Sequence, residues 1–109
     1  MTFDEILAML TETTIPFAYG HFAEGESPAP PFMVFLFPRS DNFGADGIVF
    51  KKINVLQLEL YTDAKAPNTE TIVETVLDKY GLYYEKSEVW IAEERLYEVI
   101  YTMEVLNNA

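Results

Sequence analysis

The sequence predicts an α+β domain: a mostly antiparallel sheet of about five strands with two helices, in the order α-β-β-β-α-β-β. Three observations carry this. Apolar residues recur at helical spacing in two stretches, at the start of the chain and between residues 67 and 80. Elsewhere they alternate, or run together, in short segments rich in Val, Ile, Phe and Tyr, which is a strand pattern. Pro, Gly and acidic residues punctuate the segments. The 109 residues, 50% of them hydrophobic, suit a single domain over 1–109 with a core of its own.

The first helix is expected over Thr2–Leu10. Thr2 and Glu5 have the spacing of a capping box, in which each side chain satisfies the other's backbone amide. Phe3, Ile6, Leu7 and Leu10 then form one apolar stripe. Thr13, Thr14, Ile15 and Pro16 discourage continuation. A strand is expected over Ile15–Phe22, with Phe17 and Tyr19 on one face. Residues 23–31 read as a loop by composition.

The stretch from Pro31 to Asp63 reads as a long antiparallel hairpin between the second and third strands. Its first arm, Phe32–Phe37, is stopped by Pro38. A polar tip follows from Arg39 to Gly47, with too little to bury unless a neighbour orders it. The second arm, Ile48–Thr62, runs to about 15 residues, against a typical ~5–6. Leu56, Leu58 and Leu60 alternate with Gln57, Glu59 and Tyr61, whereas Val49, Ile53 and Val55 have the opposite parity. Parity switches through a bulge near Val55-Leu56, or because both faces are covered there. If another subunit supplies that cover, Arg39, Asp41, Asn42, Phe43, Val49, Lys51, Ile53 and Val55 are the candidate subunit or partner interface.

The second helix is expected over Pro67–Tyr80. Pro67 suits the first turn, Ala66 is a weak N-cap, and Gly81 is a natural stop. Ile72, Val73, Val76, Leu77 and Tyr80 form its stripe, leaving Glu70 and Glu74 to face water. Two more strands, Leu82–Ile91 and Leu96–Leu106, join at residues 92–95. Tyr97, Val99, Tyr101, Met103 and Val105 share a face; Glu98, Thr102 and Glu104 share the other.

The chemistry is sparse. There is no cysteine, hence no disulfide and no thiolate metal site. Neither a Gly-rich phosphate loop, nor metal-ligand spacing, nor a Ser-His-Asp set is present. No catalytic, cofactor or metal residue is expected, and His21 and Trp90 read as packing residues. The first residues show neither the basic n-region nor the long apolar h-region expected of a secretory leader, and no stretch approaches the ~20 apolar residues of a membrane span. The net charge of −11, with Lys51-Lys52 the one basic pair, disfavours a nucleic-acid-binding face. It suits solubility, or the wall of a passage through which DNA slides without sticking; Glu85, Glu88, Glu98 and Glu104 are candidates for such a wall.

Taken together, several segments resemble a known family. They are the opening helix, Ile15-Pro16-Phe17-Ala18-Tyr19, and Pro31-Phe32-Met33-Val34-Phe35 leading into Asp41-Asn42-Phe43-Gly44-Ala45-Asp46. They continue with Leu58-Glu59-Leu60-Tyr61-Thr62-Asp63, a helix, Tyr84-Glu85-Lys86 and Leu96-Tyr97-Glu98-Val99. This set, spread over nearly the whole chain, is similar to the small tail terminator (tail completion, head–tail joining) proteins of long-tailed phages and of prophages in Gram-positive bacteria. Ala66 departs from the capping residue expected before Pro67. The resemblance implies a structural virion protein of the head–tail junction, assembled in the host bacterial cytoplasm, with no enzymatic activity and no cofactor. It implies a ring, usually a hexamer, that caps the tail tube, ends its polymerisation and presents a surface to head-completion proteins. Its partners would be copies of itself, the tail tube protein and a connector. DNA would pass through without specific binding, and no membrane is involved. Two other classes remain open: an acidic DNA mimic that blocks a host nucleic-acid-binding protein, and a small enzyme built around His21 or Glu93.

Overall fold

The computed structural model describes residues 1–45 and 47–106. The elements are α1 (Phe3–Thr11), β1 (Phe17–Tyr19), β2 (Phe32–Ser40), β3 (Phe43–Ala45), β4 (Ile48–Lys51), β5 (Ile53–Thr62), α2 (Pro67–Lys79), β6 (Tyr84–Ile91) and β7 (Leu96–Leu106). The fold is α+β, as the apolar periods require. β1-β2-β5-β7-β6 form one sheet, and β3-β4 form a separate two-stranded one. β2-β5, β5-β7 and β7-β6 are antiparallel, while β1-β2 is parallel.

Both helices lie on one face of the sheet. From α1, Ile6, Met9 and Leu10 pack with Val73 and Leu77 of α2 on Met33, Phe35, Leu56, Leu58, Leu60, Val99, Tyr101, Met103 and Val105. We call this face inner and the opposite one outer. The capping box at Thr2 and Glu5 is formed, which starts α1 where the sequence marks it. Ala66 gives α2 no side-chain cap, and Gly81 ends it at φ +70°, a conformation that suits glycine.

Four expectations need correction. The first strand shrinks from Ile15–Phe22 to Phe17–Tyr19 and pairs parallel with β2. Gly20, at φ +79°, turns the chain out of the strand. Parallel neighbours need a crossover of about a dozen residues, which 20–31 supply. Second, Pro38 does not stop β2. The register slips between Leu36 and Arg39, so the proline sits in a bulge, beyond the last β1 pair at Phe35. No strand pairs with β2 on the β1 side there, and on the β5 side Pro38 falls within the register slip, where a proline is tolerated.

Third, the long arm is not continuous. It breaks at Lys52 into β4 and β5, and Ile53 and Val55 stay in the main sheet, paired with Leu106 and Glu104. The parity conflict resolves by two-sided burial: Leu56 is fully buried on the inner face, and Val55, on the outer face, keeps only 2% exposure. The bulge lies across from them, in β2. Fourth, Glu70 does not face water, and Glu74 faces it only in part. Glu70 is 5% exposed, and both reach toward β6.

β3 and β4 form the tip of the long hairpin. The radius of gyration is 14.9 Å, and the longest extent is 48 Å against 28 and 23 Å. A compact chain of this length would have a radius near ~13 Å.

Candidate interaction surface

The outer face carries neither helix. Cross-strand pairing places Phe32, Val34, Leu36 and Arg39 of β2 beside Tyr61, Glu59, Gln57 and Val55 of β5. Next to these come Glu98, Ile100, Thr102 and Glu104 of β7, then Val89, Ser87 and Glu85 of β6. Strand alternation puts these residues on one side. The result is a mixed surface in which apolar residues interleave with carboxylates.

Its centre is a hydrogen-bonded acidic network. The Tyr61 hydroxyl lies 2.6 Å from Glu98 Oε2 and 3.2 Å from Glu59 Oε1, and Gln57 Nε2 donates to Glu59 Oε2 at 2.9 Å. Burial pushes the Tyr61 phenol well above the ordinary tyrosine range, and the adjoining carboxylates push it further. Both carboxylates are thus held in place by neutral donors.

Two clefts flank the network. At the hairpin end, a cleft of about 440 Å³ is lined by Arg39, Val55, Leu82, Tyr83, Glu85 and Glu104, among others. There the Glu104 carboxyl is raised above its usual value, first by a hydrogen bond with Asp41, then by desolvation and by the Asp41 charge. At the opposite end, a cleft of about 380 Å³ includes His21, Phe22, Phe32, Glu59, Tyr61 and Glu94 in its lining. Phe22 meets Phe32 edge-on at 5.6 Å between centroids, and Phe32 stacks on Tyr61 at 5.1 Å.

The sequence-derived interface residues divide between the sheet and its extension. Arg39 lies at the outer end of β2, opposite Val55. The Asp41 amide donates to the Ile53 carbonyl at 2.8 Å, and Asn42 Oδ1 accepts from the Ile53 amide at 3.0 Å. These two bonds fasten the extension to the sheet. Phe43 is 64% exposed, and Lys51 pairs with it across β3-β4. Ile53 is half-buried, and Val55 is buried by its own chain, so it has no side chain left for a partner. The side chain of Val49 and the tip residue Asp46 lie outside the described residues.

Glu88 separates from the other carboxylates proposed to line a passage. It lies on the inner face, paired with Lys65, while Glu85, Glu98 and Glu104 are on the outer face. His21 is exposed at the rim of the aromatic cleft, and Trp90 packs on Tyr97 at 4.7 Å while keeping 46% exposure. Sequence reasoning missed the aromatic cleft, whose lining comes from a loop, three strands and a turn. The single hint was the wetter parity of Gln57, Glu59 and Tyr61. Among the described residues, no group of His, Asp and Glu could hold a metal ion, and no helix is long and apolar enough to cross a membrane. Compared with known proteins, the chain matches no family model and no curated sequence.

Proposed function

We propose that this chain is a structural subunit of a phage tail: a tail terminator that forms a ring, of six copies by the family resemblance, on the end of the tail tube. The ring ends tube polymerisation and offers its other side to head-completion proteins. One observation carries the reading. A two-stranded extension, β3-β4, projects from the sheet with Phe43 and Ile48 at 64% and 60% exposure. A two-stranded hairpin alone is marginal in water, so such an element is built to be completed by another chain. The outer face, acidic and half apolar, supplies a second patch distinct from the first. Two different patches on one subunit are what a closed heterologous ring requires.

On this reading Glu85 and Glu104 lie by the passage, where fixed negative charge keeps sliding DNA from adhering. A DNA mimic is less well supported. Glu59 and Glu98 are tied to Tyr61 and interleaved with Val34, Leu36 and Ile100, unlike a row of exposed charges spaced as phosphates are.

The test uses tail assembly. Ile48→Asp is expected to leave the subunit folded and to abolish capping, giving tails of uncontrolled length or tails that do not join heads. Ile48 is a better position than Ile53, which belongs to the main sheet. If the wild-type protein never associates with tail tubes, the function is wrong.

A further inference from the structure

The projecting hairpin and the aromatic cleft match each other chemically. Phe43 of β3 stands opposite Lys51 of β4, so a ring and an ammonium stem lie together on one side of the ribbon. Lys52 follows directly, and both lysines are exposed. Among the described residues, Lys65, Lys79 and Lys86 make ion pairs, whereas Lys51 and Lys52 make none. In a chain of charge −11, this lysine pair is where a second acidic copy would be attracted.

The cleft supplies the complement. Phe22, Phe32 and Tyr61 make a continuous aromatic wall, with Glu59 and Glu94 beside it. An ammonium there gains from both the ring faces and the carboxylate charge. The Glu59 carboxylate is already oriented by Gln57 and Tyr61, so little ordering remains to be done on binding. The positions fit as well. The hairpin leaves the sheet beyond Ser40 and Ile53, while the cleft lies beside Phe32 and Tyr61, at the other ends of the same two strands. Hairpin and cleft at opposite ends of one subunit suit a head-to-tail contact, whose repetition runs on until the rotation closes.

We propose that the base of one copy's hairpin, at Phe43, Lys51 and Lys52, seats in the Phe22–Phe32–Tyr61 cleft of the next, with ammonium groups against Glu59 and Glu94. This rests on the ring reading and deepens it by naming both halves of the contact.

Because the chain has no cysteine, single thiols report the contact cleanly. Ala23→Cys places one on the exposed loop by the cleft, and Ile48→Cys places one on the hairpin, leaving the charged and aromatic groups of the contact in place. The two purified variants are mixed and linked with a short bismaleimide, after circular dichroism has verified that each is folded. Mixed dimers should form in large excess over either homodimer. Adding Lys51→Glu and Lys52→Glu to the hairpin variant should cut that product about tenfold, through like-charge repulsion. Adding Glu94→Lys to the cleft variant should then restore part of it. No mixed product, a statistical mixture of dimers, or indifference to the charge changes overturns the contact. Capping of tail tubes by the wild type is scored separately. Rings on tubes without the hairpin–cleft link sink this inference alone; the link without any capping sinks the ring reading and leaves the contact standing.

Discussion

The two faces of the main sheet are built from alternate residues of the same strands, yet they handle negative charge in opposite ways. On the inner face, Glu70 of α2 receives Lys86 at 2.6 Å and Lys65 at 2.9 Å. Glu74 receives Lys86 at 2.8 Å and the Tyr101 hydroxyl at 2.8 Å. Burial alone would raise both carboxyls. The lysines outweigh it, and both end below the usual carboxylate range. On the outer face, the partners of Glu59 and Glu98 are a tyrosine and a glutamine, which position the carboxylates without bringing a positive charge. Inner carboxylates are paired with lysines beside a core; Glu59 and Glu98 on the outer face are positioned by uncharged partners. The first arrangement serves folding. The second suits a surface waiting for a cation.

The largest difference between the two faces is expected in the core itself. Leu58 is fully buried on the inner face, and Leu58→Ala should cost about 2–5 kcal/mol. Leu36, half-buried on the outer face, should cost about 1 kcal/mol when changed to Ala, because less apolar surface leaves water there on folding. Urea unfolding of the two variants measures both. Equal losses would mean that the outer face is packed as tightly as the core.

Next in size are the charges. Glu70→Gln leaves two ammonium groups without their shared partner. Lys65 and Lys86 keep 46% and 37% of their side-chain surface in water, which screens the loss. The expected cost is about 2 kcal/mol, below that of a fully buried pair. Glu59→Gln on the outer face should change stability by less than about 0.5 kcal/mol. Thermal melts of the two variants set them side by side.

Acid sharpens the contrast further. The folded chain gives up the Glu70 and Glu74 protons more readily than the unfolded chain, whose glutamates titrate near 4.5. The stability these groups add is therefore present above 4.5 and lost as pH falls through their lower folded values. Glu104 has the opposite sign: raised by its hydrogen bond with Asp41, then by desolvation and the Asp41 charge, it takes up a proton more readily in the folded chain, so acidification favours folding there. The net expectation is a urea midpoint that drops below pH 4.5, and drops less in Glu70→Gln. A midpoint with the same acid slope in both proteins would remove the inner pairs as the cause.

Smaller effects follow. Tyr61→Phe removes the donor to Glu59 and Glu98 and should cost about 1 kcal/mol by calorimetry. Smallest is a gain, in the helix that covers the inner face. Ala66 leaves the first turn of α2 without a side-chain cap, so Ala66→Ser should add about 0.5 kcal/mol.

Much of this molecule is written locally. The stripe of Phe3, Ile6, Leu7 and Leu10, the Thr2–Glu5 box, Pro67 and Gly81 determine both helices to within a residue, because capping and a 3.6-residue period act over one or two turns. Alternation in Leu56–Leu60 and Tyr97–Val105 determines which side of each strand meets the core. Tertiary structure decided the rest. The parallel pairing of β1 depends on where residues 20–31 carry the chain, which no local period records. Pro38 is tolerated because β1 ends before reaching it and the β5 register slips there. Glu70 leaves the water, and Glu74 does so in part, because Lys65 and Lys86, distant in sequence from one another, arrive beside them. Likewise, Phe22, Phe32, Tyr61 and Glu94 become one cleft only once the sheet is formed, since each comes from a different element and long-range pairing alone brings them together.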